Sequence, residues 1–144
     1  MRVSNVLYAS LVSFVMITGC SKDEQAPVPL PQPTQYLIGM GNHSWKIQEV
    51  YINGVAQTLT AMQKTLVKTY RVDTGNTTSG KVTTNEGFTG NWDLQSAQTL
   101  QESFSLYPQI PGSIVYTINE LSSTRLDVSY TLNNELRREV FIIN

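Results

Sequence analysis

The 144-residue chain has one cysteine and one histidine. A lone Cys20 excludes an internal disulfide, and with His43 as the only histidine no cysteine–histidine set of zinc-ligand spacing exists. Charge is sparse: 15% of residues are Asp, Glu, Lys or Arg, and the net is −1. Without a basic excess there is no footprint for nucleic acid, whose binding is driven by released counterions. The apolar stretch Val6–Ile17 (VLYASLVSFVMI) is well short of the roughly 20 residues that a membrane-spanning helix needs. Apolar residues spaced i, i+3, i+4 are also missing, except for one turn within Thr60–Lys64.

Motifs that carry chemistry are missing too. Gly39-Met40-Gly41 lacks the third glycine of a dinucleotide turn and precedes a strand-like run. No Gly-x-Ser-x-Gly elbow occurs. Asp73-x-Gly75-Asn76 ends in Thr84 where a calcium loop needs its bidentate glutamate. Asn76-Thr77-Thr78 matches a glycosylation sequon but reads as a turn. No catalytic residue, metal or cofactor is therefore expected, and the chain is expected not to be an enzyme.

What is present begins at the N-terminus. Val6–Ile17 has the length and apolarity of a signal-peptide core. It ends Ile17-Thr18-Gly19-Cys20, which resembles the lipobox of bacterial lipoproteins. The resemblance implies cleavage before Cys20, a diacylglyceryl group on its thiol and an acyl chain on the new amine. Two or three chains anchor stably where one is marginal. The other reading is an ordinary signal peptide with a chance or structural cysteine. Lys22, Asp23 and Glu24 resemble the short acidic tags that send some Gram-negative lipoproteins to the outer face of the outer membrane; a solvated linker is the alternative. Ala26–Thr34 (APVPLPQPT) holds four of the six prolines. Each fixes its own φ and extends its predecessor, so a polyproline strut of roughly 25 Å over eight residues is expected. The expected organisation is a signal peptide over 1–19, a lipidated tether over 20–41 and one domain over 42–144. Past residue 19, nine basic residues face eleven acidic ones, a net of −2, and 40% of the whole chain is hydrophobic. That composition buries a core.

From Asn42 the apolar period is two. Strands are expected at Ser44–Val50, Leu66–Val72, Ser79–Thr84, Phe88–Leu94, Thr99–Tyr107, Ser113–Leu121, Thr124–Leu132 and Leu136–Ile143, separated by turn residues. Asn53-Gly54 is the strongest hairpin signal. An all-β, up-and-down antiparallel barrel of about eight strands follows, since closure removes exposed edges. At the last hairpin, a two-residue Asn133-Asn134 loop would set Arg137 opposite Tyr130 and Glu139 opposite Val128. A three-residue loop through Glu135 pairs Leu132 with Leu136, Val128 with Val140 and Leu126 with Ile142, keeps one face apolar and is the expected register. It places Arg138 on that face.

These landmarks resemble the small lipocalin-like domains of bacterial outer-membrane lipoproteins: Trp45 in the first strand, Asn53-Gly54, Thr69-Tyr70 leading to Asp73-Thr74-Gly75, then Gly90-Asn91-Trp92-Asp93-Leu94. The Gly-x-Trp of true lipocalins is not met; Gly41 lies four residues before Trp45. The resemblance implies a cup for a small hydrophobic ligand and an arginine, Arg138, closing the floor over Trp45. A snorkelling surface arginine is the other reading. Trp45, Tyr70, Trp92, Phe104, Tyr116, Tyr130 and Arg138 are the candidate ligand-binding residues; their alternative role is simply to fill the barrel. The expected function is a lipid-anchored outer-membrane protein that binds a small hydrophobic molecule. The alternatives are an adaptor with a filled barrel meeting an envelope protein or glycan, through a patch near Tyr107–Pro111, and a hydrolase inhibitor.

Overall fold

The computed structural model describes residues 29–39, 43–105 and 112–144. Its elements run α1 (Gln32–Ile38), β1 (Ser44–Ile52), β2 (Val55–Ala56), α2 (Ala61–Thr65), β3 (Val67–Val72), β4 (Ser79–Thr84), β5 (Thr89–Ser96), β6 (Thr99–Phe104), β7 (Ile114–Leu121), β8 (Arg125–Leu132) and β9 (Glu135–Ile143). β1 and β3 to β9 pair antiparallel in sequence order, and β9 returns to pair with β1 from Trp45↔Ile143 to Ile52↔Arg137. The result is an all-β, eight-stranded up-and-down meander closed into a barrel. β2 is a short return arm across Asn53-Gly54, whose φ angles of 51° and 81° are those such a hairpin turn requires.

The core forms because alternate side chains of the eight barrel strands face inward. Trp45, Tyr70, Val82, Trp92, Leu100 and Phe141 are almost fully buried. An extra residue in β1, between Ile47 and Glu49, bulges the strand so that Ile47 and Val50 both remain inside. Gly90 pairs with Phe104, and a Cβ there would meet the Ser103 carbonyl and lie 2.8 Å from the Phe104 ring. The space is thus taken by its cross-strand neighbour.

One end of the barrel, the floor, is closed by α1. Pro31 is its N-cap and Gly39, at φ 54°, its left-handed C-cap, the arrangement that favours glycine past a helix end. Leu37 and Ile38 join the barrel core, the Trp45 indole Nε1–H donates to the Leu37 carbonyl at 2.8 Å, and Thr34 Oγ1 donates to the Thr77 carbonyl at 2.7 Å. This corrects the expected strut at its C-terminal end. Proline is compatible with the first turn of a helix, where its missing N–H is not needed, so Pro33 does not keep Gln32–Thr34 extended. The packed unit thus includes α1 as well as the strands.

The last hairpin also corrects the expected register. The pairs are Leu132↔Glu135, Tyr130↔Arg137, Val128↔Glu139 and Leu126↔Phe141. Asn133 and Asn134 both have positive φ, 53° and 64°, giving the two-residue turn whose twist matches the strands. Leu136 is left 54% exposed, and Arg138 faces outward beside Asp127. The charges this brings inside are accommodated because the interior is not uniformly apolar.

Two ladders stop short at the other end, the mouth. β1–β3 pairs only Ser44↔Thr69 to Lys46↔Val67, and β7–β8 runs only from Thr117↔Ser129 to Leu121↔Leu126.

Candidate functional site

The mouth holds a cavity of about 270 Å³. Ile47, Leu66, Phe104, Tyr116 and Tyr130 give it an apolar wall, and Lys68, Thr84, Glu86 and Glu139 add polar groups. Thr60, Met62 and Gln63, at and within α2, line it from the α2 side. α2 begins with a capping box: Gln63 N–H donates to Thr60 Oγ1 at 3.2 Å and Thr60 N–H to Gln63 Oε1 at 2.9 Å. None of its own residues is buried, and Met62 is 65% exposed. It lies over the mouth without being built into the core.

Beneath the cavity is a buried polar cluster. Lys68 Nζ donates to Glu102 Oε2 at 2.8 Å, with the two side chains only 9% and 1% exposed. Tyr70 donates its hydroxyl to Glu102 Oε1, and Tyr116 donates to Oε2 at 3.2 Å. The ammonium also lies 5.3 Å from the centre of the Tyr116 ring and 5.2 Å from that of Phe141, within reach of a cation–π attraction. Burial pushes both phenols well above their usual pKa, and the charge of Glu102 adds to the effect. They remain protonated donors. A lone buried charge is costly, but this carboxylate has one cation and two hydroxyls around it. Nearer the mouth, the Tyr130 hydroxyl donates to Glu139 Oε1 at 2.8 Å, and burial with Glu139 beside it raises that phenol's pKa too.

Of the sequence candidates, Phe104, Tyr116 and Tyr130 come together on the cavity wall. Trp45, Tyr70 and Trp92 do not line it; they are buried in the core, with Tyr70 edge-on to Trp92 at 6.2 Å and the Trp92 Nε1–H donating to the Arg71 carbonyl at 3.0 Å. Arg138 is neither in the cavity nor over Trp45, because the two-residue turn puts odd-numbered residues of β9 inside. On the outer wall it donates to Asp127 at 2.9 and 2.6 Å and lies 5.2 Å from the centre of the Tyr51 ring. Burial alone would raise the Asp127 carboxyl, but hydrogen bonds from Arg138, Asn119 and Arg125 outweigh it and hold the pKa down to about 2. Cys20, Lys22, Asp23, Glu24 and the Tyr107–Pro111 patch lie outside the described residues.

No protein-family model, curated protein or solved structure matches the chain. The architecture is that of a small closed barrel consistent with a lipocalin-like fold. The expected register set Glu139 on the outer face, and Lys68 and Glu102 were not among the expected site residues. A signal was there: Lys68 stands in phase with Leu66 and Tyr70, and Glu102 with Leu100 and Phe104, so each charge occupies an inward position of its strand. Among the described residues no group of three or more His, Cys, Asp or Glu side chains is placed to hold a metal ion.

Proposed function

We propose that this protein is a non-catalytic lipoprotein of the bacterial outer membrane, anchored through Cys20, whose barrel mouth holds a small, mainly hydrophobic molecule. The cavity between α2 and the walls of the mouth carries the binding half of this reading. Among the described residues, Phe104, Tyr116, Tyr130, Ile47, Leu66 and Met62 give it an apolar wall, and six polar side chains, three of them charged, are placed to orient an occupant, as convergent polar groups do in small-molecule sites. Its volume falls just below the roughly 300–1,000 Å³ of most such sites, so the occupant is small. The anchoring half rests on Ile17-Thr18-Gly19-Cys20 and on the tag-like Lys22-Asp23-Glu24.

Native mass spectrometry of the full protein, gently extracted from its own host, tests the binding. A reproducible non-covalent adduct that disappears on denaturation is the expected result. A bare mass, together with no uptake of added small hydrophobic compounds, would replace this reading with that of an adaptor. The tight packing of Trp45, Tyr70 and Trp92 in the core favours that second reading. Anchoring is tested separately by labelling cells with a tagged fatty acid: incorporation lost in Cys20→Ser supports it, and label retained there refutes it.

A further inference from the structure

We infer that the occupant of the mouth cavity carries a positively charged group: it is a small cationic amphiphile, an organic ammonium with an apolar body. This rests on the reading of the cavity as a ligand site and narrows it to a chemical class.

The charges decide the sign. Among the described residues, the cavity wall presents one cation, Lys68, and two carboxylates, Glu86 and Glu139. The cation is already engaged: Glu102, almost wholly buried, takes its ammonium at 2.8 Å. An incoming anion would therefore have to compete with an internal carboxylate for Lys68 while facing two more. Arg137, the cation on the inward face of β9, is not among the lining residues; it is tied to Glu135 at 3.0 Å and also reaches the Tyr130 hydroxyl. Among the described residues, the carboxylates of Glu139, Glu102 and Glu86 thus stand in and immediately beneath this space, against the ammonium of Lys68 and the Arg137 guanidinium beside the Tyr130 hydroxyl. An apolar wall around them lowers the local dielectric and enlarges the imbalance.

The aromatic groups point the same way. At the base of the cavity the protein holds its own ammonium, Lys68, by a carboxylate and two aromatic faces. The cavity wall has the same ingredients: Glu139, fixed by the Tyr130 hydroxyl at 2.8 Å, with the rings of Phe104, Tyr116 and Tyr130. Carboxylates and electron-rich ring faces bind organic ammonium groups and repel carboxylates. Tyr116 and Tyr130 meet edge to face at 5.1 Å, so these two rings are held in fixed mutual orientation before any ligand arrives.

Three probes with the same chain and different heads test the inference: octylammonium, 1-octanol and octanoate, each titrated calorimetrically into the full protein at pH 7. The expected result is octylammonium tighter than octanol by at least tenfold, with octanoate weakest. Glu139→Gln should shrink the ammonium–alcohol gap to about twofold. The comparison on the unaltered protein decides the matter even if that variant fails to fold. Octanol or octanoate binding as tightly as octylammonium would overturn the charge assignment while leaving the cavity a hydrophobic ligand site. No binding by any of the three would overturn the ligand-site reading as well.

Discussion

Replacing Glu102 by glutamine keeps the shape of the side chain and one carbonyl acceptor but removes the charge that faces Lys68 Nζ at 2.8 Å. With the Lys68 side chain 9% exposed, water makes up for the lost carboxylate charge only in part. Stranding one member of a buried pair costs about 3–5 kcal/mol, and the Tyr70 and Tyr116 hydroxyls lose their anionic acceptor in the same step. A domain of this size has about 5–15 kcal/mol of total stability, so E102Q should remain folded only marginally. At about 4–8 °C per kcal/mol for a 60–100-residue domain, Tm should fall by roughly 12 °C or more. Lys68→Met alone should also destabilise, since it leaves the Glu102 carboxylate buried without a cation. The double variant K68M/E102Q should recover to within about 1–2 kcal/mol of the parent, because removing both charges removes the desolvation penalty along with the attraction. Urea unfolding followed by circular dichroism measures all four proteins as one cycle. The reasoning is refuted if E102Q loses less than about 1 kcal/mol, or if the double variant loses the sum of the single losses. Either result would mean that the pair is open to solvent.

The Asp127 carboxyl is held at about 2 in the folded protein, below its ordinary value. Its contribution is therefore fully present above about pH 4 and lost as pH falls through about 2; with the Arg138 side chain 43% exposed and solvent-screened, it amounts to about 1 kcal/mol. Urea midpoints across pH 2–7 should show that loss in the parent and a flatter acid limb in Asp127→Asn. At the last turn, Asn134→Ala should cost about 1 kcal/mol because alanine resists positive φ, whereas Asn134→Gly should match or exceed the parent in Tm. A Tm for Asn134→Ala equal to the parent's would argue against the two-residue turn.

The strands were legible because local sequence determines them. The run Ser79–Thr84 is β4 end to end, and β7, β8 and β9 begin or end within a residue of their apolar alternation. The barrel followed from the uninterrupted sequence of such runs. The register of the last hairpin was not legible from apolar matching alone, since what admits Glu139 to the inner face is the hydrogen bond it accepts from the Tyr130 hydroxyl. α1 was hidden by its prolines, which suit an extended strut and a helix's first turn equally. The mouth cavity was half legible: Phe104, Tyr116 and Tyr130 could be named, but Lys68 and Glu102 lie 34 residues apart, and nothing in either segment announces the other. Arg138 shows the converse failure, because one slipped residue sends a side chain through the wall.

The position of α1 gives the barrel a polarity. The N-terminal part of the chain joins it at the floor, where α1 packs, while the cavity opens at the opposite end. A strand of eight residues is roughly 26 Å long at 3.3 Å per residue, so the two ends are separated by most of the molecule's length. If the N-terminus is fastened to a bilayer through Cys20, the attachment reaches the barrel at the floor and leaves the opening free to face the aqueous side. A ligand would then arrive by diffusion through water rather than sideways out of the membrane. Molecules soluble enough to make that journey alone, short-chained and charged at one end, would have the advantage over long lipids that never leave the bilayer.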